Sequence, residues 1–84
     1  MEKRTAKMIK VSVLIANRHS TSISLEKEFF EEFLKIAGEL NISRNQLITQ
    51  IDRERTEDNL SSAVRLFVLR YYKDKLEKKE WIIK

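Results

Sequence analysis

The run Ser20-Thr21-Ser22-Ile23-Ser24-Leu25 alternates polar and apolar residues, then passes without a break into a helical repeat. Alternation with period two sets Thr21, Ile23 and Leu25 on one side of a strand and Ser20, Ser22 and Ser24 on the other. Over residues 26–40 the period lengthens: Leu25, Phe29, Phe33, Ile36, Ala37 and Leu40 recur at helical spacing. Glu28, Glu31, Glu32, Lys35 and Glu39 take the opposite side. A strand that leads straight into an amphipathic helix must bury one apolar face of each against something else. That requirement limits the chain to a small layered module.

The punctuation after this helix is equally specific. Asn41 suits a left-handed helix end. Ser43 and Gln46 then form a capping box, and Ile42 can staple to Leu47 across it. Leu47, Ile48 and Ile51 give the second helix its apolar stripe, to about residue 53. A charged link follows over 53–59, and a third helix starts at Asn59 or Leu60 and reaches about residue 79. Residues 66–69 are apolar on nearly every side, which predicts burial between neighbours. Trp81, Ile82 and Ile83 form an apolar tail. Upstream, Ile9, Val11, Val13 and Ile15 alternate with Met8, Lys10, Ser12 and Leu14, which predicts an earlier strand joined by a short link at 16–19. Residues 1–7 read as a flexible basic arm and residues 8–84 as one domain.

An 84-residue chain makes a single domain. A domain of this size buries only about 60–65% of its unfolded surface. There is no cysteine to add a disulfide, so a homodimer is the simplest way to complete the core. One glycine and no proline favour helices over a many-stranded barrel. The net charge of +4 is uneven. Residues 1–24 hold five Lys/Arg against one acid, residues 25–58 five against nine, and residues 59–84 seven against three. A basic strand region beside an acidic helix suits a nucleic-acid surface with a solvated back. No apolar run is long enough to span a membrane and the N-terminus lacks a signal peptide's pattern, so a cytoplasmic protein is expected.

Enzymatic chemistry has little to stand on. His19 is the sole histidine, and Gly38, the sole glycine, falls inside the first helix, so neither a metal site nor a phosphate loop can be assembled. We expect no enzyme activity, no cofactor and no metal. Nucleic-acid binding has better support. A two-stranded ribbon fits the major groove, and alternate side chains on one face reach base edges. Here that face carries Ser20, Ser22 and Ser24, with Lys10 and Arg18 nearby. The start of a helix offers free amides to a phosphate, and Arg44 and Asn45 stand beside Ser43 to assist.

The order and distance of Thr21-Ser22-Ile23-Ser24-Leu25-Glu26, Phe33-Leu34-Lys35-Ile36-Ala37 and Asn41-Ile42-Ser43-Arg44 resemble the ribbon-helix-helix family of DNA-binding proteins. With Asn59-Leu60-Ser61-Ser62-Ala63-Val64-Arg65 and Phe67-Val68-Leu69-Arg70-Tyr71-Tyr72, the chain is similar to a bacterial subfamily of short, uncharacterised members. The likeness covers residues 11–72. It implies a mainly α fold with a short N-terminal β-ribbon and an additional C-terminal helix, in an intertwined homodimer that pairs one strand from each chain. It also implies binding of double-stranded DNA, with Ser20, Ser22 and Ser24 toward the bases. Lys10, Arg18, Ser43, Arg44 and Asn45 would lie toward phosphates, in a protein that regulates transcription. Serine pairs with almost any base, so the ribbon reads with modest preference. The second helix of the module starts at Ser43 or at Ser61/Ser62, since both stretches look like such a start. The other reading is a protein-interaction or antitoxin-like module whose partner sits on the C-terminal helix.

Overall fold

The computed structural model describes the backbone of residues 7–83 and the side chains of residues 7–77. Apart from Lys7, the arm expected over 1–7 lies outside the described residues, as do the side chains of Trp81, Ile82 and Ile83. The chain forms β1 (Met8–Ile15), β2 (His19–Glu26), α1 (Lys27–Leu40), α2 (Arg44–Glu54) and α3 (Leu60–Ile83). This is the expected order of ribbon and helices, with the third helix at the C-terminus.

The two strands pair with each other, antiparallel, from Met8 opposite Glu26 to Ile15 opposite His19. The resemblance implied that the ribbon's second strand comes from another chain; here β1 supplies it. The reason is the link after Ile15. Ala16 and Asn17 adopt φ of 54° and 58°, and the Arg18 amide donates to the Ile15 carbonyl at 3.0 Å, so the chain turns back on itself. Beyond the far end, the Lys27 amide donates to the Lys7 carbonyl at 2.7 Å and ties the start of α1 to the strand.

The apolar alternation of both strands lands on one face. Val13, Ile23 and Leu25 are buried there together with Phe33, Ile36, Ala37, Leu47, Ile48, Ile51, Ala63, Val64 and Val68. Ile23 and Leu25 retain 1% and 0% of their exposure, so one chain covers the face for which a second chain was expected. A lone strand cannot bury this face, but a hairpin backed by three helices can.

α1 ends at Asn41 with φ 65° and ψ 37°, its amide donating back to Ala37 and Gly38. α2 begins in the expected capping box, the Gln46 amide donating to Ser43 Oγ at 3.0 Å and the Ser43 amide to Gln46 Oε1 at 2.8 Å. Ile42 packs against the core, as the staple requires. α3 differs from expectation in one respect. Val68 is buried and Leu66 and Phe67 are half-buried, whereas Leu69 keeps 50% of its exposure, so this helix is not enclosed all round. It lies along α1 on one side and α2 on another, which leaves the Leu69 side open.

The acidic side of α1 is not simply a solvated back. Arg65 Nε donates to Glu26 at 2.8 Å, Tyr72 Oη to Glu32 at 2.8 Å, and Tyr71 Oη and Lys75 Nζ to Glu39 at 2.7 and 2.8 Å. Basic and phenolic groups of α3 thus cover much of the acidic side of α1.

Candidate nucleic-acid interface

Residues opposite one another in an antiparallel pair share a face. Ser20, Ser22 and Ser24 face Leu14, Ser12 and Lys10 across the ribbon. These six stand on the side away from the core, where all are exposed except the half-buried Leu14. The serine face expected from the alternation is present, but β1 contributes half of it. Lys10, expected near the phosphates, is the cross-strand partner of Ser24 and stands beside the serines themselves. Ser12 and Leu14 were not singled out from the sequence, because only the hairpin register brings them opposite Ser22 and Ser20. The end of the face far from the turn carries Glu26, whose carboxyl is held below the usual carboxylate range chiefly by the hydrogen bond from Arg65. That guanidinium offsets a negative charge that would otherwise stand next to an anionic ligand.

Arg18 lies exposed in the turn, at the other end of the ribbon. Ser43, Arg44 and Asn45 flank the outer edge of β1, and two of their polar groups are spent on holding it. Asn45 Oδ1 accepts from the Leu14 amide at 3.3 Å, and Arg44 Nη2 donates to the Ser12 carbonyl at 3.4 Å. Thr49 Oγ1 adds a bond from the Ala16 amide at 2.9 Å. The Ser43 hydroxyl and amide are both occupied by the capping box. Among the described residues the main-chain amides of Arg44 and Asn45, at the first turn of α2, carry no such bond. They are the donors this helix start has to offer.

The outer edge of β2 is treated alike by the other helix. Ser61 Oγ accepts from the Ser24 amide at 3.0 Å, and Asn59 Oδ1 caps α3 by accepting from the Ser62 amide at 3.1 Å. Both alternatives for the second helix therefore start helices, one at each edge of the ribbon. Asn59 was legible as a cap from its type and position, whereas the reach of Ser61 to a strand edge was not.

A helical module that presents a two-stranded ribbon outward, with a helix start against each of its edges, defines a class of protein rather than a catalytic centre. Among the described residues no group of His, Cys, Asp or Glu is gathered as a metal site, and no helix is long and apolar enough to cross a membrane.

The chain belongs to the ribbon-helix-helix family: the family model described as "Ribbon-helix-helix domain" matches residues 8–72. The family is a non-enzymatic, DNA-binding fold of regulators whose members typically bind DNA as dimers. No curated protein and no solved structure matches the chain.

Proposed function

We propose that this chain binds double-stranded DNA by laying the β1–β2 ribbon in the major groove, and that it regulates transcription by doing so. The observation that carries the reading is the exposed face of the ribbon: Ser20, Ser22, Ser24 and Ser12 with Lys10, backed by a buried apolar face that fixes its shape. A major groove about 12 Å wide admits a two-stranded ribbon whose strands lie about 4.8 Å apart. Arg18 and Arg44, with the free amides of Arg44 and Asn45, would meet the phosphates on either side, and these groups supply most of the affinity. The reading does not need the homodimer expected from the resemblance to build the ribbon, because both strands come from one chain.

The test is titration of the protein with random-sequence duplex across a range of salt. Log affinity should fall linearly with log salt, and Arg18→Ala should flatten the slope by about 0.9 for each phosphate it no longer neutralises. Arg18→Ala should weaken binding to all sequences alike. Absence of duplex retention even at about 50 mM salt, where phosphate binding is strongest, would end the DNA reading.

A second reading, a protein partner seated on α3, is favoured by one observation: Leu69 and Leu76, seven residues apart on that helix, keep 50% and 64% of their exposure. A pure interaction module would show no salt-dependent retention on DNA, so the same titration separates the two.

A further inference from the structure

The two strands of the ribbon differ in sequence, which bears on what the exposed face can recognise. A ribbon built from two copies of one strand presents the same side chains twice, related by a two-fold axis. Here β1 presents Lys10, Ser12 and Leu14 where β2 presents Ser24, Ser22 and Ser20. Only the central pair, Ser12 opposite Ser22, is alike on both strands. Toward the Glu26 end stands a long cation, and toward the turn an aliphatic side chain. The outer edges of both strands are already bonded by side chains, to Asn45, Arg44 and Thr49 on one side and Ser61 on the other. The core face is closed within the chain, so the ribbon is a finished, asymmetric unit.

Resting on the proposed binding of DNA, we infer that one chain reads one non-palindromic site, and that Lys10 is its main specificity-determining side chain. The Lys10 ammonium has no ion-pair partner among the described residues and belongs to the base-facing side of the ribbon. Lysine donates to the O6 and N7 acceptors of guanine, which no other base edge presents together in the major groove. Leu14, at the opposite end, suits the methyl group of thymine. The serines between them touch the bases without strong preference. The site therefore has polarity: guanine under the Lys10 end and thymine under the Leu14 end, read by a single ribbon.

The experiment is selection of bound duplexes from a random pool, with sedimentation of the selected complex to count chains per site. Wild-type protein should recover a non-palindromic motif containing a guanine, with one chain bound to each motif. Lys10→Ala should lose roughly 5- to 100-fold of the discrimination at that one position. Lys10→Gln should move the preference there from guanine toward adenine, whose N6 and N7 a carboxamide matches. Neither variant touches the core, since Lys10 is exposed, and thermal melting checks that both remain folded. A palindromic motif, or two chains on each motif, would overturn the single-chain inference while leaving DNA binding intact. Uniform weakening on all sequences by Lys10→Gln, with the motif unchanged, would overturn the role of Lys10 and return it to the phosphates. A wild-type protein that retains no duplex at all overturns the DNA reading itself, and the single-site inference with it.

Discussion

Single residues decide where this chain turns and where its helices begin. Ala16 is the clearest case. Its φ of 54° lies in the left-handed region, where a Cβ crowds the following carbonyl at a cost of roughly 1–2 kcal/mol. Asn17, at 58°, tolerates the same region better because asparagine does so generally. Ala16→Gly should therefore raise stability by about 1 kcal/mol, less what glycine adds to the unfolded chain's freedom. Chemical denaturation measures this, and a neutral or destabilising result would mean that the turn carries no such strain. Ser43 is decided by a different balance. Its hydroxyl and amide are joined to Gln46, so Ser43→Ala should cost about 0.5–2 kcal/mol through the lost cap. Because these groups are already occupied, DNA affinity of the folded fraction should change little, which binding measured well below the melting temperature will show.

At the scale of elements, the packing of α1 on α3 is electrostatic along its rim and apolar beneath. Glu32 is held below its ordinary value chiefly by the hydrogen bond from Tyr72, and Glu39 chiefly by that from Lys75. Tyr72 is in turn pushed up to about 12 by its bond to Glu32. The carboxylates, with lowered folded values, contribute stability that is present above the ordinary carboxylate value of 4.5 and is lost as pH falls through the lowered ones. Tyr72, with a raised value, contributes stability that is present below the ordinary 10.0 and is lost as pH rises toward 12. Stability should thus plateau between these windows and fall on both sides. In Tyr72→Phe the decline between pH 10 and 12 should be shallower, and the latest-titrating tyrosine should vanish from the ultraviolet titration. On the neighbouring helix α1, a Cβ added at Gly38 meets nothing within 4 Å. Gly38→Ala should stabilise α1 by roughly 0.5–1 kcal/mol through helix propensity alone, as chemical denaturation will measure.

For the whole molecule, the distinguishing property is that the ribbon and its covering helices belong to one chain. Folding that needs no second copy gives a melting temperature independent of protein concentration, whereas an obligate dimer melts higher as concentration rises. Thermal unfolding over about a hundredfold range of dilution should show no trend. Ile23→Ala, which empties a position with 1% exposure under the ribbon, should cost about 2–5 kcal/mol. That cost should also be the same at every concentration, since the cavity forms inside one chain.

The local repeats were sufficient to place every element of this fold. Period two gave both strands and their inward faces, Val13 with Ile23 and Leu25, and period 3.6 gave the buried stripe of α1 through Phe33, Ile36 and Ala37. The caps at Asn41 and Ser43 were equally legible, because capping is chemistry between residues a few positions apart. What the repeats left open was which strand pairs with which. An apolar face states that it must be covered, not by whose atoms, so a second chain and a hairpin satisfy the same pattern. The tertiary structure decided it through the backward turn at Ala16 and Asn17, and through side chains over thirty residues distant in sequence, Asn45, Thr49 and Ser61, that bond the ribbon's edges. That pairing set Lys10 opposite Ser24 and made the exposed face asymmetric, because cross-strand neighbours are fixed by register and register is not a local property.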